Sequence, residues 1–304
     1  MSDSATRRAF FKSMAVSGMA GSFGISHDVF ARAADPILPS HMSNAGNKYI
    51  DPRKVLLYEC TRKEIRDMIA SGKLKAAIIP TGSTEQHNEH MAMIMDTAGA
   101  LLISQEAALK VYPKAIVTTP VPLGVCPYWM KRQGTITLRE ETFTGIVYDI
   151  CCSLKTHGID TILVVNGHGG NMKPLKEKVP EFRSKLGITI EACSYWDSFS
   201  EEQKKDFTET GIIAGHADEF ETSIALAAFP ERIHRVTYEG SEPYKWDVDQ
   251  EDLDRIGYYL ARWDTPEWDR KSFEDSKLAT AEKGERIIAH AVNWVAEKLL
   301  SMIE

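Results

Sequence analysis

Three short stretches of the sequence hold residue types that bind divalent metals. The first is Glu85-Gln86-His87-Asn88-Glu89-His90, with Asp96 nine residues after His87. Carboxylates and imidazoles this close together suit Zn2+, Mn2+ or Fe2+, and a carboxylate such as Asp96 can bridge two ions. Taken alone, the stretch reads equally well as a solvated polar loop. The second is the turn Asn166-Gly167-His168-Gly169-Gly170-Asn171, whose glycines allow the backbone close to a bound group. It lacks both G-x-G-x-x-G and a G-K-[ST] ending, which rejects a nucleotide-phosphate loop. The third is Gly215-His216-Ala217-Asp218-Glu219-Phe220-Glu221-Thr222-Ser223. A helix start, with acids favoured at the positive end of the dipole, accounts for Asp218 and Glu219 but not for His216.

These stretches need elements to hold them, and the pattern around them alternates. Thr61-Arg62-Lys63-Glu64 is a capping box that opens a helix to about Ala70, and an apolar strand from Lys75 to Pro80 runs into the first stretch. A helix around Thr97–Val111, a strand at Ala115–Thr119 and a helix from about Arg139 to Thr156, behind a second capping box Thr137–Glu140, come next. Asp160–Val165 is the clearest buried strand and ends at the His168 turn. A helix at Lys173–Leu186, a strand at Ile188–Ala192, a helix at Asp218–Phe229 and a long amphipathic helix from Leu278 to Leu300 complete the pattern. The expected fold is α/β, a mainly parallel sheet with helices on both faces. In such folds functional groups collect past the carboxyl ends of the strands, where the three stretches are expected to sit.

The 304 residues carry 36 Lys+Arg against 43 Asp+Glu, a net charge of −7, with no basic block to attract nucleic acid or anionic lipid. Five cysteines at irregular spacing make neither a disulfide scaffold nor a zinc knuckle. They read as core thiols, with room for one bridge, and Cys151-Cys152 as core-facing rather than redox-active. Residues 1–33 read as a twin-arginine signal: Arg7-Arg8, a weakly apolar run from Met14 to Ile25, and an Ala31-Arg32-Ala33 cleavage site. The expected location is therefore periplasmic or secreted. Residues 34–48 read as a linker or arm and 49–304 as one domain, with no later run apolar enough to cross a bilayer.

In this order the three stretches resemble the creatininase (creatinine amidohydrolase) family of binuclear metallohydrolases. The resemblance runs from about Val55 to Ala279-Thr280-Ala281-Glu282-Lys283-Gly284. It rests on E-Q-H with an Asp eleven residues after the Glu, on N-G-H-G-G-N and on H-A-x-x-x-E-T-S taken together. It implies a homo-oligomer, often a hexamer, and two divalent ions, Zn2+ or Mn2+ with Fe2+ as a further choice. Glu85, Asp96 and His168 would hold one ion, and His87 and Asp96 the other. Creatininase itself supplies a Glu to the second ion two residues after the turn histidine, where this chain has Gly170, so Glu221 is the expected replacement. His216 matches the catalytic or substrate-polarising histidine. Water held by such ions is deprotonated near neutral pH, so no Ser or Cys nucleophile is required, and Ser83 and Cys126 read as loop or pocket residues.

The pocket departs from the family. The pattern G-x-S-x-E-H-x-x-F-P-G-T becomes Gly124-Val125-Cys126-Pro127-Tyr128-Trp129-Met130-Lys131-Arg132-Gln133-Gly134-Thr135, and Ile212-Ile213 stands where creatininase has Trp-Asp. Creatinine is thereby disfavoured as the substrate. Tyr128, Trp129, Lys131 and Arg132 are the expected substrate-binding residues, with two solvated loop cations as the bland reading of the last pair. The expected reaction is hydrolysis of a small cyclic amide or related C–N bond. The alternatives are hydrolytic ring opening of an oxidised cyclic polyol, and a non-catalytic exported metal- or ligand-binding protein. The Trp-rich segment Trp246–Trp268 reads as an oligomer interface or a pocket lid.

Overall fold

A computed structural model of the chain describes residues 53–234, 249–261 and 265–304. The twin-arginine segment, the linker, Trp246 and Trp263 lie outside the described residues. In chain order the elements are α1 (Arg62–Ala70), β1 (Ala76–Thr81), α2 (Met95–Lys110), β2 (Ala115–Val117), α3 (Glu140–Thr156), β3 (Thr161–Asn166) and α4 (Met172–Leu186). They are followed by β4 (Thr189–Ser194), α5 (Lys204–Phe207), α6 (Glu219–Ala228), α7 (Gln250–Arg255), α8 (Pro266–Ser276) and α9 (Ala281–Ile303).

The four strands form one sheet, ordered β2-β1-β3-β4, and every pairing is parallel. Side-chain alternation divides it into two apolar faces. Ile78, Leu163 and Val165 pack with Leu101 and Ile103 of α2 and with Ile287, Val295 and Leu299 of α9. Ala77, Ile79, Ile162, Val164 and Ile190 pack with Phe143 and Val147 of α3 and Leu175 and Phe182 of α4. Each fully buried Ile, Leu or Phe contributes about 1.5–3 kcal/mol, so this double-sided core fixes the strand ends to which the site is attached. Among the described residues no helix is long and apolar enough to cross a membrane.

The register brings Thr81, Asn166 and Ser194 side by side at the carboxyl edge. Thr81 Oγ1 donates to Asn166 Oδ1 at 3.0 Å, and Asn166 Nδ2 donates to Ser194 Oγ at 3.1 Å. Asn166 also holds the turn beyond β3, with Nδ2 donating to the His168 carbonyl at 2.6 Å and Oδ1 accepting from the His168 N–H.

Two sequence expectations need correction. Thr61 and Glu64 do form the capping box of α1, but α3 begins behind Arg139 with no side-chain cap. The Thr137 hydroxyl accepts from the Cys126 N–H instead, so it pins the loop before α3 rather than the helix. All five cysteines are free, with Cys126, Cys151 and Cys193 buried, and no bridge forms.

Candidate metal centre

Glu85 and His87 follow β1, His168 follows β3, Asp96 sits in the first turn of α2 and Glu221 in the first turn of α6. Asp96 reaches the strand ends because Gly167 has no side chain: a Cβ there would lie 2.2 Å from the Asp96 carbonyl oxygen. All five ligand candidates are buried, from 0% exposure for His87 to 8% for Glu221. Asp96 stands between the two histidines, with Oδ1 3.0 Å from His87 Nε2 and Oδ2 3.0 Å from His168 Nδ1. Glu85 Oε2 lies 3.3 Å from the same His168 nitrogen, and Glu221 Oε2 lies 3.7 Å from His87 Nε2.

The far nitrogens of both rings face main-chain carbonyls, His87 Nδ1 that of Glu85 at 3.0 Å and His168 Nε2 that of Val125 at 3.1 Å. A carbonyl only accepts, so each imidazole donates there and turns a lone pair toward the carboxylates. Lone pairs facing carboxylate oxygens repel unless a cation or a proton lies between them. Glu85 Oε2 and Asp96 Oδ2 are moreover buried without a hydrogen-bond partner, although both lie close to His168 Nδ1. Orphaned buried carboxylate oxygens beside an imidazole lone pair are the donor set of a divalent ion.

The electrostatics fit this. Burial alone would depress the His87 imidazole, but Asp96, with Glu221 and Glu85, lifts it to about 10. His168 is likewise raised well above its ordinary value, with Glu85 and Asp96 overcoming its burial. Burial pushes Glu221 up to about 8, despite His87 and with Asp96 adding to the rise. Without metal, protons occupy the places that cations would take.

His216 lies across the cluster, its ring 4.6 Å from that of His87 and its Nδ1 3.5 Å from Glu85 Oε1. The Gln86 amide donates to its Nε2 at 2.8 Å, which leaves the ring proton on Nδ1. Burial, reinforced by His87, drives its pKa well below the ordinary value, so it is neutral at pH 7. Ala214 and Ala217, either side of it, both adopt positive φ (59° and 49°), backbone strain of the kind stored at functional sites.

A cavity of about 1210 Å³ opens on this cluster, and Glu85, Asp96, His168, His216 and Glu221 all line it. Tyr128 and Trp129 line it as well. Trp129 stacks on His216 at 4.8 Å, and the Tyr128 hydroxyl is 3.3 Å from His168 Nε2. Lys131 and Arg132 do not line it, which corrects the sequence expectation for this pair. Lys131 lies over the Tyr258 ring, and Arg132 Nη2 pairs with Asp269 Oδ2 at 2.7 Å, tying the loop to α8. Of the Trp-rich segment, Tyr259 and Trp268 line the cavity.

Sequence reasoning missed the part played by α8. Trp268 stacks on His216 at 5.9 Å, and the Ser272 hydroxyl donates to the His216 carbonyl. α8 starts behind Thr265, which accepts from the Trp268 N–H, with Pro266 as its first residue, and the sequence reading placed no helix there. Gln86 was also missed, since only the folded chain brings its amide to His216.

Comparison with known proteins agrees with the geometry. A family model described as creatinine amidohydrolase matches residues 58–299. The chain is 30% identical over 217 residues to the 3-dehydro-scyllo-inosose hydrolase of Thermotoga maritima, covering 69% of this chain and 68% of that protein. It is 27% identical over 265 residues to the creatinine amidohydrolase of Pseudomonas putida, covering 81% and 96% respectively. A solved mutant creatininase of Zn-Zn type superposes with a TM-score of 0.66 at 25% identity, over 82% of this chain and 98% of that one.

Proposed function

Because the chain belongs to the creatininase family of hydrolases, we propose that it uses two divalent ions to hydrolyse a small cyclic amide or related C–N bond. Glu85, Asp96 and His168 would hold one ion and His87, Asp96 and Glu221 the other, with zinc or manganese suited to these oxygen and nitrogen donors. The observation that carries this reading is Asp96, one oxygen on each of two imidazoles whose lone pairs face it. Bound there, the ions would lower the pKa of a shared water and polarise a carbonyl oxygen.

The side chains supply the rest. His216, neutral with its ring proton on Nδ1 and lining the cavity, is suited to donate that N–H to the substrate carbonyl or to the leaving nitrogen. Trp129 and Trp268 hold its ring in plane, and Gln86 fixes its tautomer. Tyr128, Trp129 and Tyr259 give the cavity flat apolar walls suited to a compact ring.

A second reading, hydrolytic opening of an oxidised cyclic polyol beside a ketone, is favoured by the likeness to the inosose hydrolase. The proposal also includes export through the twin-arginine route, with Arg7-Arg8 as its signal, and assembly as a homo-oligomer. Elemental analysis of the purified protein beside Asp96→Ala and Glu221→Ala tests the central claim. Near two ions per chain in wild type are expected, lost without Asp96 and halved without Glu221. No bound metal after incubation with Zn2+ or Mn2+ would sink it. Turnover of lactams against cyclic diketones then separates the two reactions, and absence of both would favour a binding protein.

A further inference from the structure

Beside the Glu85–His168 half of the centre lies a donor to which no role has been given. Cys126 is fully buried, and its Sγ, a Glu85 carboxylate oxygen and a His168 nitrogen all lie within 4.8 Å of one another. Of the five cysteines it alone joins such a group among the described residues. The group points to a ligand independently of the thiol, because Glu85 Oε2, at 2% residue exposure, has no hydrogen-bond partner there.

The thiol's own contacts leave it available. Its S–H donates to the Ile136 carbonyl at 3.5 Å, a bond that is weak because a thiol is a weak donor. The Ser83 hydroxyl lies 3.2 Å from Sγ and can donate to it, the support that a sulfur anion needs in a buried site. The Cys126 N–H bond to Thr137 Oγ1, at 3.0 Å, and the Val125 N–H bond to Asn171 Oδ1, also at 3.0 Å, tie the loop to the rest of the fold. In the related pattern G-x-S-x-E-H this position is a serine, so the chain has replaced a hard oxygen with a soft sulfur.

We propose that Cys126 binds as a thiolate to the ion held by Glu85 and His168, and that it biases this half of the centre toward thiophilic ions, zinc over manganese. On binding, the S–H bond breaks, a sulfur–metal bond forms and the proton leaves to solvent, with no change of oxidation state. Softness sets the preference: thiolates select zinc, whereas all-oxygen and imidazole sets also accept manganese. The inference rests on the binuclear reading above.

Cobalt(II) loading separates the two. Wild type should bind near two cobalt ions and show a sulfur-to-cobalt charge-transfer band in the near ultraviolet. Cys126→Ser should still bind cobalt but lose that band. Its preference for zinc over manganese in competition should fall roughly 10- to 100-fold, the scale of losses from perturbed ligand shells. Should Cys126→Ser fail to fold, a Cys60→Ser/Cys151→Ala/Cys152→Ser/Cys193→Ala variant that keeps the band still assigns it to Cys126. Two bound ions with no band, or a band that survives Cys126→Ser, would overturn the thiolate and leave the binuclear reading standing. No bound divalent ion at all would overturn both.

Discussion

Gly170 approaches Val125 so closely that a Cβ on it would lie 2.0 Å from the Val125 carbonyl oxygen, 2.6 Å from His168 Nε2 and 2.9 Å from the Tyr128 hydroxyl. The site has thus closed over the position from which creatininase draws a carboxylate, and Glu221 Oε2 stands 3.7 Å from His87 Nε2. Gly170→Ala should therefore cost about 1–3 kcal/mol through overpacking and lower the metal content by displacing His168. Gly170→Glu should fail to restore metal to Glu221→Ala, as read by elemental analysis and thermal unfolding.

Removing metal should make stability depend on pH. His87 is raised from 6.5 to about 10, so the stability it contributes is full below pH 6.5 and is lost as pH rises through 10. Glu221, raised from 4.5 to about 8, loses stability in the same direction between those values. The melting temperature of chelator-treated protein should fall steadily from pH 5 to 10. Zinc-loaded protein should show a flatter profile, and zinc binding at pH 7 should release protons, measurable by calorimetry in buffers of different ionisation enthalpy.

Substituting His216 should separate chemistry from metal binding. His216→Gln is expected to lower kcat about 10²- to 10⁴-fold while the ions stay bound, the range associated with a positioned acid–base group. Loss of metal in this variant would make His216 a ligand instead, in keeping with its closeness to Glu85 and His87.

The Arg132–Asp269 pair should matter for stability rather than for substrate. Asp269 is fully buried, and removing its cationic partner leaves the carboxylate in a poor solvent. Arg132→Gln is expected to cost about 3–5 kcal/mol in denaturant unfolding. Its effect on KM should be no greater than the displacement of Trp129 produces.

Glu85, His87 and His168 were legible because their types are costly to bury and they follow apolar strands: nothing but function explains His168 past Val165. The sheet was legible for a related reason, since Ile78-Ile79 and Leu163-Val164-Val165 leave no polar face and so require cover on both sides. Lys131 and Arg132 were misplaced because a loop sequence shows charge but not direction, and the partner Asp269 lies far along the chain. Thr137 was misread for a like reason: its hydroxyl had two competing uses, and the N–H of Cys126, brought near only by folding, took it. The contribution of α8 was hidden because Trp268 and Ser272 act on His216 through tertiary contacts that leave no local spacing to read.

Each of the two candidate ligand histidines is oriented by a peptide oxygen, His87 by that of Glu85 and His168 by that of Val125, and the Tyr128 hydroxyl adds to His168 alone. No replacement of a neighbouring side chain can delete a peptide oxygen. The orientation of the two imidazoles is therefore insulated from most sequence drift, and cavity-wall positions that touch neither imidazole, such as Tyr259, can diverge toward new substrates without turning them.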